Sequence, residues 1–244
     1  MLHHDKDFLR DIERDVVEEI EKNFSSNLVS IFVEGSFANY DYIKGYSDYD
    51  VLVIIKKEDR SKSLNLDKLS QKYGIEIQAD VKLYKDFLNR IKNNNLTTRF
   101  VGNLTLLELK NKNRLIFGKD LRKIIPNKSK LIKRDLTVEL RDLFLFATNP
   151  DKRWNIFIRK PRKWCNYIIN MANALLLSNG VFVKKTKLLD NVKKYHPKFK
   201  GVRELEMAIK LRETGKILSL SLKEERLLKR DLECFLESFK QYLF

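Results

Sequence analysis

The chain has 244 residues, 43% of them hydrophobic and 34% charged, which gives enough apolar surface for a core and fits one large domain or two small ones. No run approaches the roughly eighteen apolar residues of a membrane span, and the first ten residues, MLHHDKDFLR, lack an apolar stretch, so neither a membrane helix nor a secretory signal is expected. Two cysteines, Cys165 and Cys234, exclude a disulfide framework or a four-cysteine zinc site and read as reduced packing thiols of a cytoplasmic protein.

The net charge of +16 is unevenly placed. Residues 1–120 hold 20 basic and 20 acidic residues, whereas residues 121–203 hold 21 basic and 5 acidic ones. Trp154, Trp164 and Tyr195 are interleaved with the basic clusters, so 121–203 reads as a basic face for a polyanion, RNA among them.

In chain order, Phe8, Ile12, Val16 and Ile20 recur every four residues and predict a helix over 7–24. Asn27 to Val33 is a β-rich run. Val51 to Ile55 (VLVII) is continuously aliphatic and predicts a strand buried on both faces. Ile75 to Leu83 alternates and predicts a third strand, reached through a helix-like connection. The second half is helical. Leu136, Leu140, Leu143 and Phe144 mark one helix, and Trp164, Ile168, Met171 and Leu175 mark another, ended by Asn179-Gly180. A short helix around Leu188, Leu189 and Val192 stops before Pro197. Two more follow, over Val202–Leu211 and around Leu228, Leu232, Phe235 and Phe239. The boundary falls near Pro126, giving domains 1–125 and 126–244.

Residues 33–55, VEGSFANYDYIKGYSDYDVLVII, carry the chemistry. A strand runs into Gly35-Ser36, a loop follows, and Asp48-Tyr49-Asp50 leads into a buried strand. Residues two apart on a strand point to one side, so Asp48 and Asp50 face the same way. Two such carboxylates repel unless a cation lies between them, and a hard cation such as Mg²⁺ takes carboxylate and phosphate oxygens. Gly35 permits close backbone approach, and Ser36 offers a hydroxyl and an N–H to a phosphate. Lys44, in the same loop, is a candidate for binding the triphosphate. Tyr40, Tyr42, Tyr46 and Tyr49 crowd this loop, either to stack on a base or to pack on the loop itself. No GxxxxGK[ST] or GxGxxG is present.

This ordered set resembles the signature of the nucleotidyltransferase superfamily that includes DNA polymerase β. The resemblance implies an α+β fold, with an N-terminal nucleotidyltransferase domain (a mixed β-sheet with helices) followed by a C-terminal helical bundle domain that binds the acceptor. It implies two Mg²⁺ ions and an NTP donor, from which a nucleoside monophosphate passes to an acceptor hydroxyl with release of pyrophosphate. It also implies a third acid on a later strand. Glu76 is favoured because it sits between two isoleucines, and Asp80, flanked by Ala79 and Val81, is the alternative. The second half resembles kanamycin nucleotidyltransferase-like enzymes, in which a glutamate of the helical domain can act as general base and the active site can form between two subunits. Glu139 is then the candidate base, and a homodimer is implied.

Aminoglycosides are polycations, and a strongly basic helical half repels them, so an anionic acceptor (RNA or a phosphorylated metabolite) is expected. The second reading is a non-catalytic nucleotide- or RNA-binding regulator with the same fold. His3 and His4 are weak metal candidates, and His196 is expected to pack or be solvated.

Overall fold

A computed structural model describes residues 6–43, 47–58, 64–93, 106, 109–126, 140–141, 144–145, 148, 161–216 and 219–244. The chain divides into two compact units, Met1–Pro126 and Asn127–Phe244.

The first unit opens with helix α1 (Lys6–Phe24), in which Ile12, Val16 and Ile20 of the predicted stripe are buried together with Leu9 and Phe24, while Phe8 is half-buried. Strand β1 (Leu28–Val33) follows, then a single helical turn, α2 (Gly35–Ala38), and strand β2 (Tyr49–Ile55). Helix α3 (Asp67–Tyr73) leads to strand β3 (Ile77–Leu83), then helix α4 (Tyr84–Asn93) and strand β4 (Arg114–Gly118). The four strands form one sheet in the order β3-β2-β1-β4. β1 runs antiparallel to β2 and β4, whereas β2 and β3 are parallel, so the sheet is mixed as the resemblance implies.

Alternation divides the residues of β2. Tyr49, Val51, Val53 and Ile55 join the α1 stripe in one core cluster. Leu52 and Ile54, on the other face, are buried as well. A continuous apolar run with no polar side therefore lies in the middle of the sheet, between two hydrogen-bonded neighbours. Strand β4 was not foreseen. It has five residues, is half-buried along most of its length and ends in Gly118, so no alternation is visible in the sequence.

In the second unit, helix α5 (Pro161–Ser178) buries Trp164, Cys165, Ile168, Ala172, Leu175 and Leu176. It ends where Gly180, at φ +65, donates its N–H to Leu177 O at 2.7 Å, the left-handed cap that the Asn-Gly pair predicts. Helices α6 (Leu188–Tyr195), α7 (Val202–Glu213) and α8 (Leu222–Leu243) pack around α5. A capping box starts α8, in which Ser221 N donates to Glu224 Oε2 at 2.9 Å and Glu224 N donates back to Ser221 Oγ. Phe235 and Phe239 of α8 meet Phe199 edge-on, at ring distances of 5.5 and 5.8 Å. Most of the helix expected around Leu136–Phe144 lies outside the described residues, but Leu140 and Phe144 are helical and buried.

The cysteines are free. Cys165 is buried, and burial followed by the nearby Asp231 charge pushes its thiol up to about 12, which makes it inert at neutral pH. Among the described residues no helix is long and apolar enough to cross a membrane.

Candidate active site

The candidate site is built where β1 ends and β2 and β3 begin. After Val33, Glu34 N donates to Asp50 O at 2.8 Å, so the chain leaves β1 still tied to β2. Gly35 then takes φ +62, a left-handed conformation that costs glycine no Cβ clash. The turn closes on itself: Asn39 Nδ2 donates to Gly35 O at 2.8 Å, and Asp41 N donates to Ser36 O at 2.9 Å. A Cβ built on Gly35 would lie 3.6 Å from Asp50 Oδ2. The exposed glycine backbone and the Asp50 carboxylate are thus neighbours. Ser36 is buried at 7% exposure, so Gly35 is the member of the pair that the turn shows to solvent.

Asp48 and Asp50 share a side because Tyr49 between them points into the core. Tyr49 is fully buried, with its ring edge-on to Phe37 at 5.0 Å. Burial, and then the Glu13 charge, push its hydroxyl far above the ordinary tyrosine range, so it stays protonated. The parallel ladder sets Asp50 opposite Gln78 and Leu52 opposite Asp80. Tyr49 N donates to Glu76 O at 2.8 Å, which continues the ladder one step past the end of β3 and brings Glu76 abreast of Asp48. Pleat parity then puts Asp48, Asp50, Glu76, Gln78 and Asp80 on one face, opposite the α1 cluster.

Both candidate third acids have local partners. The Gln78 amide donates to the Glu76 carboxylate, and Lys82 Nζ stands 2.7 Å from Asp80 Oδ1. Among the described residues no three His, Cys, Asp or Glu side chains already stand close enough together to hold a metal. Lys44, Tyr46, Glu139, His3 and His4 lie outside the described residues.

Of the other described loop tyrosines, Tyr42 packs on the protein and Tyr40 is 46% exposed. Tyr42 stacks on Phe37 at 4.2 Å. Tyr40, at φ +56, lies with its ring 5.1 Å from the Arg114 guanidinium. Two hydrogen bonds hold that guanidinium to Glu13, at 2.8 and 2.6 Å. Asn113 Nδ2 donates to Glu34 Oε1 at 2.7 Å on the same edge. Glu13, Glu34, Asn113 and Arg114 carry no sequence signal, because their partners are 79 and 101 residues away.

Hard oxygen donors on one face, next to a glycine that leaves room beside Asp50, suit a divalent cation such as Mg²⁺ together with a phosphate. The nucleotidyltransferase domain family matches residues 13–143. Among solved structures, the crystal structure of spectinomycin adenyltransferase AAD(9) from Enterococcus faecialis with ATP and spectinomycin matches with a TM-score of 0.59 and 14% identity, over 95% of this chain and 99% of that one. No curated protein matches the sequence.

Proposed function

Because the chain belongs to the nucleotidyltransferase domain family and is a nucleotidyltransferase, we propose that it moves a nucleoside monophosphate from an NTP, ATP foremost, to a hydroxyl of an anionic acceptor. The observation that carries this reading is the Gly35 backbone lying against the Asp50 carboxylate, with Asp48 on the same face of β2. An intact pair of carboxylates next to an exposed glycine backbone weighs against the purely regulatory reading.

Asp48 and Asp50 would hold Mg²⁺, with Glu76 or Asp80 supplying a third carboxylate. The metal, when bound, neutralises phosphate charge and activates the attacking oxygen. Gly35 offers its backbone to the β- and γ-phosphates, and Lys44 supplies a cation to the same group. In the reaction the acceptor oxygen forms a bond to the α-phosphorus as the bond from that phosphorus to the β-phosphate oxygen breaks. Pyrophosphate leaves, and the hydroxyl proton passes to a base, for which Glu139 is the candidate.

The charge of the chain supports an anionic acceptor, since the net +16 arises from residues 121–203. A second reading, adenylyl transfer to spectinomycin or a related antibiotic, is favoured by the neighbour that matches over 95% of the chain.

The test is label transfer from α-labelled NTPs with Mg²⁺, offering RNA, phosphorylated metabolites and spectinomycin as separate pools. Asp48→Ala and Asp50→Ala should each reduce transfer by at least 1,000-fold while the far-ultraviolet circular dichroism stays unchanged. Removing one of two repelling carboxylates costs little folding energy. Of Glu76→Ala and Asp80→Ala, the variant that falls with them identifies the third carboxylate. Wild-type turnover in Asp48→Ala would overturn the assignment. Label in the spectinomycin pool alone would move the acceptor to the second reading.

A further inference from the structure

The segment 184–200 of the helical unit is built like an anchored strip. A 3₁₀ turn (Lys185–Lys187) runs directly into α6, and His196 N and Phe199 N donate to Val192 O and His196 O, at 2.8 and 2.9 Å, to carry the turn onward. Leu188, Val192, His196 and Phe199 form its inward face, and all four are buried. His196 is fixed from both ring nitrogens: Nδ1 lies 2.8 Å from the Tyr242 hydroxyl and Nε2 lies 3.1 Å from the Asn179 amide. Phe199 is wedged edge-on between Phe235, Phe239 and Tyr242. Gly201 closes the strip so tightly that a Cβ there would meet the Phe199 ring at 2.6 Å.

The outward face is cationic. Lys184, Lys187, Lys193, Lys194, Lys198 and Lys200 are exposed, and Asp190 is the segment's one acidic residue. Among the described residues no carboxylate forms an ion pair with any of these six lysines. Tyr195 is 43% exposed, with the Lys194 ammonium 5.1 Å from its ring centre. A solvated lysine surface needs no aromatic ring held open beside the cations. No large aliphatic residue of the segment is among the exposed ones, so nothing here would insert into a bilayer. A row of point charges with one open ring matches a single nucleic-acid strand, with phosphates along the lysines and a base on the ring.

We propose that Lys184–Lys200, with Tyr195 as its stacking platform, is a docking surface for single-stranded RNA. The choice of RNA rests on the reading of the chain as a transferase to an acceptor hydroxyl, because each ribose brings one. The inward anchors hold the charges in place before binding, so little ordering cost is added when a strand lands.

The experiment is fluorescence anisotropy of a labelled single-stranded oligoribonucleotide with the full chain, without NTP, titrated from about 50 to 200 mM salt. Lys193→Ala/Lys194→Ala/Lys198→Ala should weaken binding and make the slope of log affinity against log salt shallower by about 2, since each phosphate contact on a single strand contributes about 0.7. Tyr195→Ala should weaken binding at least 5-fold with the slope unchanged, because stacking releases no counterions. An unchanged affinity and slope in the triple variant would overturn the proposal. So would equal binding of polyglutamate or phosphatidylserine vesicles combined with no effect of Tyr195→Ala, since the face would then respond to charge alone. RNA binding without label transfer to RNA would overturn the reading of RNA as the acceptor and leave the docking surface standing. Transfer without RNA binding would do the reverse.

Discussion

At the scale of single residues, the site depends on which side of a pleat each side chain takes. Asp48 and Asp50, both half-buried, lie on the face away from the α1 cluster because Tyr49 fills the core between them, and a substitution that moved Tyr49 would turn both aspartates. His196 shows the same dependence on surroundings in the other unit. Sequence gave two outcomes for it, packed or solvated, and it is packed. Burial holds its pKa below the ordinary 6.5, because a charged ring would lose its hydration, and the backbone contact to Leu175 opposes this only in part. The folded state therefore keeps a neutral ring that the unfolded chain protonates first. Stability of the helical unit should be level above about pH 7 and fall as the pH drops below 6.5, where the unfolded state takes up the proton. Thermal melts across pH 8 to 5 check this. The drop should be smaller in His196→Gln, and a wild-type drop of the same size in that variant would assign it to other groups.

At the scale of elements, β4 is the informative case. It closes the edge of the sheet beside β1, and its first residue, Arg114, is tied to Glu13 of α1 and lies over Tyr40 of the loop after Gly35-Ser36. One short edge strand thus braces the loop that carries the candidate phosphate site. Its exit is tight. Gly118 has φ +81, and a Cβ there would lie 2.2 Å from the Val29 carbonyl oxygen. A backbone atom cannot swing away as a side chain can. Gly118→Ala should therefore destabilise the first unit by about 1–3 kcal/mol, as measured by urea denaturation. A midpoint within error of the wild type would show that β4 is free to shift.

At the scale of the whole molecule, the charge is the main determinant. A chain of net charge +16 attracts anions over several ångströms of solution, and salt screens that attraction. For an anionic acceptor, KM should rise steeply with ionic strength while kcat stays nearly level, because the field acts on encounter and not on the bond that breaks. A polycationic acceptor should show the opposite trend in KM. Steady-state kinetics at two salt concentrations separate the two readings, and a KM that ignores salt would remove the charge argument altogether.

The amino-acid sequence by itself determined what is local or periodic. The α1 stripe, the buried run VLVII, the Asn179-Gly180 cap and the Gly35-Ser36 to Asp48-Tyr49-Asp50 order depend on residues a few positions apart, so their spacing already carries the physics. The resemblance read from that order was enough to indicate the family and the two-part architecture. What only the tertiary structure decided are pairings between distant segments. It set Glu76 abreast of Asp48 and Asp80 opposite Leu52, because the register of a parallel ladder depends on a crossover whose geometry no single strand contains. It joined Glu13 to Arg114 across 101 residues and Glu34 to Asn113 across 79. It also turned Tyr42 and Tyr49 onto protein partners and left Tyr40 exposed beside Arg114, because the available core surface, not the composition of the loop, decides where an aromatic ring packs.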